Sequence, residues 1–285
     1  MKTKRRWGDR RDGTRIRKID PMHSITPLIF PDRVENQVYF RVSVDIEPAE
    51  KYLLQWNREH PEDKITLFQL LITAVMKSIR LRPQMNRFIV NQTLYQRNEL
   101  TAAFTVKKVF SDDGDETLTR VVVSDEDTLG SIAGQIRQQI HLCKTGTDQS
   151  TDAMGLIQKL PGQRLIGAAA RTLDRHGWMP SSVIASDPFQ CSVVFANIGS
   201  VGMDSFYHNL KNWGTTSIII VVGTKQKKIH YDDEGNMFKR KELELSCTLD
   251  ERIADGYYYG IFLHLFRKLV ANPDLLELPM AQEVK

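Results

Sequence analysis

Three carboxylates and a glycine stand at fixed spacing in Thr248-Leu249-Asp250-Glu251-Arg252-Ile253-Ala254-Asp255-Gly256, just ahead of a strongly apolar segment. A Glu at position 251 has two uses. Solvated beside Arg252 it is a surface charge, whereas in an apolar channel its carboxyl becomes a base able to take a proton from a thiol or hydroxyl. Asp255 is placed to cap a helix starting at Gly256, a role worth about 1 kcal/mol. Upstream, Asn197 and Gly199 follow an apolar run ending at Ala196, as turn residues follow a strand. His208 lies among Phe206, Tyr207 and Trp213, where a histidine is either packed and hydrogen-bonded or a replacement proton acceptor. Cys143, Cys191 and Cys247 are widely separated, with no CxxC pair, so neither a metal site nor a disulfide framework is expected.

The surrounding pattern supplies a frame for these groups. Residues 38–46 alternate apolar and polar as a half-buried strand does, and Pro48 suits the first turn of a helix running towards Trp56. From Thr66, a plausible N-cap, Leu67, Leu70, Leu71, Ala74, Val75 and Ile79 share one helical face until Pro83. Short strands are expected at 88–90, 94–97, 100–110 and 118–123, with Asp113-Gly114 as a hairpin turn. A helix follows at 128–141, and two more between Asp152 and His176. Strands return at 191–195, 215–222, 228–232 and 239–249, before a closing helix at 256–270. Helices interrupt groups of strands without regular βαβ alternation, so the fold class is α/β with a mixed sheet flanked by helices in a single domain.

The chain has 285 residues, 41% of them hydrophobic, enough for a substantial core. Residues 1–20 hold nine Lys or Arg against three Asp, so the basic character is concentrated in an N-terminal arm and the remainder is slightly acidic. That arm has three readings: a solvated tail, an anchor for phosphates, or a nucleic-acid contact. Interspersed Asp9 and Asp12 and a single aromatic, Trp7, argue against nucleic acid and favour an arm wrapped on its own or an adjacent subunit. No apolar run approaches the roughly 20 residues that span a bilayer, so no membrane partner and a cytoplasmic location are expected. The expected organisation is a basic arm over 1–20, a catalytic-type domain over 21–275 and a tail over 276–285.

The segment 250–256 resembles the HxxxDG signature of chloramphenicol acetyltransferases and of the catalytic domains of 2-oxo acid dehydrogenase dihydrolipoyl acyltransferases, where Asp commonly precedes and Arg follows the His. Val194-Phe195-Ala196-Asn197-Ile198-Gly199 is similar to the same family's strand ending in Ser-Asn-Leu-Gly. Arg17-Lys18-Ile19, the strand at 38–45 and the helix entry at 64–75 follow in the family's order. The resemblance implies a chloramphenicol acetyltransferase-like fold and a homotrimer with sites shared between subunits. It further implies coenzyme A or an acyl-coenzyme A as co-substrate, no covalently bound cofactor, and a small-molecule acyl donor and acceptor. Asn197, Gly199, Thr248 and His208 are then expected along the channel, and Arg17 is expected to form a buried ion pair with Asp255.

At both chemical positions this chain departs from the family. Glu251 occupies the place of the catalytic His, and Ala196 that of the Ser whose hydroxyl stabilises the oxyanion. Moving a thiol proton to an ordinary Glu rather than a His climbs about 2 further pKa units, or roughly 3 kcal/mol. Losing one oxyanion donor costs about 10²- to 10³-fold. Ser192, Ser200, Thr215 and Thr248 are the nearby hydroxyls that could substitute. Two readings therefore stay open: a coenzyme A-dependent acyltransferase-like protein of reduced or altered activity, with Glu251 as a modified base, or a non-catalytic acyl-coenzyme A-binding or scaffold trimer.

Overall fold

The computed structural model describes residues 5–107, 116–145 and 161–284. The alternating segment becomes β2 (Gln37–Asp45), and the segment begun by Pro48 becomes α2 (Glu47–Glu59). Thr66 caps α3 (Leu67–Leu81) in a reciprocal capping box: its hydroxyl accepts from the Gln69 N–H, and the Gln69 side chain accepts from the Thr66 N–H. Pro83 then breaks the helix into a 3₁₀ turn.

A six-stranded sheet runs β2-β9-β8-β7-β5-β6, comprising also β5 (Leu100–Lys107), β6 (Glu116–Val123), β7 (Val193–Asn197), β8 (Ile218–Tyr231) and β9 (Met237–Asp250). It is mixed, because β7 is parallel to both β5 and β8 while the other pairings are antiparallel. One face buries Val42, Phe195, Ile220, Val222 and Leu245 in the main core with the apolar faces of α3, of α4 (Leu129–Thr145) and of α7 (Gly256–Ala271). The opposite face carries a smaller apolar cluster of Ala103, Val194, Leu210, Ile219 and Val221, with Ala196 and Ile198 packed against it. A second sheet orders β1 (Gly13–Arg15), β4 (Thr93–Arg97) and β3 (Arg87–Val90). The fold is a single α/β domain of the expected mixed kind.

Several local features differ from the sequence reading. The strands expected at 215–222 and 228–232 are one strand, β8, with a register irregularity between Val222 and Lys225. Helices α1 (Pro21–Ile29) and α6 (Ser181–Ser186) were not anticipated. Of the two helices expected between 152 and 176, α5 (Gln163–Arg175) is present. The remainder of that stretch up to residue 160, and the Asp113-Gly114 turn, lie outside the described residues. Residues 276–281, expected as part of a tail, are fastened to the body. Lys77 on α3 is buried and donates to the carbonyls of Leu278 (2.9 Å) and Pro279 (2.8 Å), and Met280 is fully buried.

The basic arm is equally engaged. Arg10 is buried and pairs with Asp12 (2.8 Å) and with Asp174 on α5 (2.8 Å), while β1 adds to the small sheet. No helix among the described residues is long and apolar enough to cross a membrane.

Candidate functional site

Strand β9 ends at Asp250, which is fully buried, and the chain turns through a 3₁₀ segment at 251–253 into α7. The turn is built on an ion cluster. Arg252 folds back on Asp250 in a two-pronged contact, Nε to Oδ1 at 2.8 Å and Nη2 to Oδ2 at 2.7 Å, and its Nη1 donates to the carbonyls of Phe30 and Pro31 at 2.9 Å. Arg33 approaches the same carboxylate at 3.7 Å and donates to the carbonyls of Lys211 (2.6 Å) and Gly214 (3.1 Å). Burial pushes the Arg33 pKa down, Asp250 draws it back up, and neighbouring Arg252 opposes that recovery. Two buried guanidiniums thus share one carboxylate.

This arrangement decides where Glu251 points in charge terms. Arg252 is turned inward and does not neutralise its sequence neighbour; Glu251 is exposed at the surface. Asp255 caps α7, accepting from the Tyr258 N–H at 2.8 Å, as its position before Gly256 predicts. The ion pair expected between Arg17 and Asp255 is not formed. Arg17 donates instead to Asp9 (2.9 Å) and to the Trp7 carbonyl (3.0 Å), because the loop before β1 folds back on itself. Asp9 is held there by the N–H groups of Arg6 (2.8 Å) and Arg15 (3.1 Å).

The second motif lies on β7, two strands from β9. Ala196 is level with Val221 on β8, which is level with Ser246 on β9. Glu251 is five residues further along from Ser246, and β9 is two strands away from β7. With about 3.3 Å per residue and about 4.8 Å per strand, Glu251 and Ala196 are roughly 20 Å apart in one chain. One chain alone cannot bring them to a common reacting atom.

Ile198 continues the ladder by donating to the Val222 carbonyl at 3.1 Å, and Gly199 then passes close to β8. A Cβ at position 199 would run into the Gly223 carbonyl, so the Asn-Ile-Gly sequence is a requirement of backbone packing as well as a motif. Of the hydroxyls near Ala196 in sequence, Ser192 is bound to the Thr101 backbone, Ser200 to the Asn197 carbonyl and Thr215 to Gln190. Thr248 is buried in the sheet, and its Oγ1 has no hydrogen-bond partner among the described residues. His208 is half-buried, with Nδ1 3.2 Å from the Asn209 carbonyl, in a segment laid beside edge strand β2 through Tyr39 and Gln37.

One polar chain escaped the sequence reading. Ser246, level with Ala196, donates to Ser205 Oγ (2.8 Å), which donates to Glu244 Oε1 (2.9 Å). Period-two alternation along β9 marks Ser246 as facing the same side as Thr248, but nothing local connects it to Ser205. The cysteines offer no nucleophile: all three are buried, and burial pushes the Cys247 thiol up to about 12. Among the described residues, no three His, Cys, Asp or Glu side chains gather as metal ligands.

Residues 186–278, which include Ala196 and the whole 250–256 turn, match the family model of the 2-oxoacid dehydrogenases acyltransferase (catalytic domain). This stretch, about a third of the chain, is similar to that catalytic domain. Its fold is shared with a dihydrolipoamide acetyltransferase from Azotobacter vinelandii at a TM-score of 0.61 and 16% identity, over 92% of this chain and 94% of that one. A truncated catalytic core of the 2-oxoacid dehydrogenase multienzyme complex from Thermoplasma acidophilum gives a TM-score of 0.55 at 16% identity, over 90% and 99% of the two chains. A chloramphenicol acetyltransferase gives a TM-score of 0.54 at 11% identity, again over 90% and 99%. No curated protein matches the chain by sequence. The chain thus shares the fold of these acyltransferases.

Proposed function

We propose that this chain is a coenzyme A-dependent acyltransferase-like protein that acts as a homotrimer, with Glu251 of one copy facing the Ala196 strand end of the next. The observation that carries this reading is the separation of roughly 20 Å between the two motifs within one chain. A second copy is the simplest way to unite them. The surface around Glu251 supports it. Met22, Ile25 and Ile29 form an exposed stripe on α1, followed by exposed Phe30, and α1 is tied to the 251–253 turn through Arg252.

In the shared site, Glu251 takes the proton from the acceptor thiol or hydroxyl as its sulfur or oxygen attacks the thioester carbonyl. The tetrahedral intermediate then collapses with departure of the coenzyme A thiolate, which receives the proton from Glu251. Cover by the second copy supplies the desolvation that makes a carboxylate basic enough for this step. The oxyanion has no hydroxyl from Ala196, so the rate falls below that of a complete site by about 10²- to 10³-fold.

The bare methyl of Ala196 specifically favours a second reading, a trimer that binds acyl-coenzyme A without turning it over. Acetyl-coenzyme A with dihydrolipoamide or simple hydroxyl acceptors separates the two. Slow turnover abolished by Glu251→Gln is the expected result. Saturable binding without turnover selects the non-catalytic trimer, and neither binding nor turnover overturns both.

A further inference from the structure

A cleft of 340 Å³ opens between α5, the β3–β4 turn and the loops at 31–33 and 212–214, and Arg252 forms part of its floor. Arg33, Arg171, Arg175 and Arg252 line it, against Asp32 and Asp174. The acids are unequally available. Asp174 is committed to Arg10 (2.8 Å) and Gln190 (3.2 Å), and buried Asp250 behind the floor is committed to Arg252 in its two-pronged contact. Arg10 is also paired with Asp12, so Arg10, Arg33, Arg171, Arg175 and Arg252 stand against Asp12, Asp32, Asp174 and Asp250, an excess of one positive charge.

Arg171 and Arg175 lie one helical turn apart on α5, on one face of the helix, and both line the cleft. Both are exposed, and neither has an ion-pair partner among the described residues. Beneath them, buried Arg33 reaches Asp250 only at 3.7 Å and shares it with Arg252, so an anion in the cleft would complete its pairing. Asn91, held at φ 48° in a two-residue turn with Gln92 at φ 60°, adds an amide on one side. Trp213 supplies a fixed apolar wall, its Nε1 anchored on Asp187 at 2.8 Å. The position of Gly214 beside it is equally constrained: φ is 74°, and a Cβ would strike the Phe189 carbonyl.

We infer that this cleft is a binding site for a small organic dianion, a phosphate monoester or a short dicarboxylate, clamped by Arg171 and Arg175 over the Arg33–Arg252 floor. Paired guanidiniums suit this ligand class because each presents parallel N–H donors to two oxygens of one anion. The site is distinct from the shared acyl-transfer site, since Glu251 does not line it, and it does not depend on that reading being correct.

The test uses the full chain at constant ionic strength, titrated by calorimetry with inorganic phosphate, glycerol phosphate and succinate, and with acetate as a monovalent control. Trp213 fluorescence gives a second readout, with Trp213→Phe removing that signal. Saturable binding of at least one dianion, weakened about tenfold or more by Arg171→Ala or Arg175→Ala, is expected. The relative affinities of the phosphates and succinate distinguish the two ligand sources. Because both arginines are exposed, unchanged circular dichroism will show that these variants still fold, and Arg175→Lys should lie between wild type and alanine. Absence of heat and fluorescence change at about 10 mM of every dianion overturns the inference. So does binding that both alanine variants leave unchanged, or displacement of phosphate by coenzyme A, which would place the cleft within the acyl-transfer site.

Discussion

Glu251 and Ala196 stand on backbones that the fold maintains independently of their side chains. The turn at 251–253 is fixed by Asp250 and Arg252, and the exit of β7 is fixed by the approach of Gly199 to Gly223. Exchanging the two chemical side chains should therefore alter catalysis without altering structure. Glu251→His together with Ala196→Ser is expected to raise acyl transfer by about two orders of magnitude or more, because the base and the oxyanion donor act on the same barrier. Either change alone should give much less, since the remaining deficit still limits the rate. Steady-state rates of the four proteins with acetyl-coenzyme A and dihydrolipoamide measure this. A folded double variant no faster than the single ones would sever the correspondence of these positions with the family's His and Ser.

At the scale of elements, what could be read in advance was whatever depends on nearby residues. The capping box of α3, the Asp255 cap and the alternation of β2 all follow from spacings of a few residues. Strand β8 was legible only as two pieces, because its register irregularity follows Val222 and residues 224–228 are all polar, alternating only between half-buried and exposed. The Asp250 cluster was illegible. Its second cation, Arg33, comes from a loop far upstream, and Arg252 looks like a partner for Glu251 until the turn aims it inward. This cluster should be a stability determinant out of proportion to its size. Asp250→Asn leaves Arg33 and Arg252 buried without a counter-charge, at an expected cost of about 3–5 kcal/mol in urea unfolding. A loss below about 1 kcal/mol would mean that the backbone carbonyls alone satisfy the two guanidiniums.

For the whole molecule, the apolar closing helix α7 obtains its cover within the chain, packing Phe262, Leu265, Phe266 and Leu269 into the main core. The uncovered apolar surface lies elsewhere. On α1, Met22 is 75% and Ile29 62% exposed, and Phe30 and Val34 continue that surface. A stripe of this kind beside the 251–253 turn is where assembly and acyl transfer would be joined. Ile25→Asp with Ile29→Asp places two charges in the proposed contact, where they would be desolvated, yet both side chains are exposed in the single chain and their replacement should leave its fold intact. The wild-type chain is expected to sediment as a trimer at micromolar concentration and the double variant as a monomer with the same circular dichroism. Acyl-transfer activity should disappear together with the trimer, although Glu251 is untouched. A monomeric wild-type chain would remove the basis for a shared site. Activity retained by a monomeric variant would require both halves of the reaction to take place within one copy, against the roughly 20 Å that the strand register places between Glu251 and Ala196.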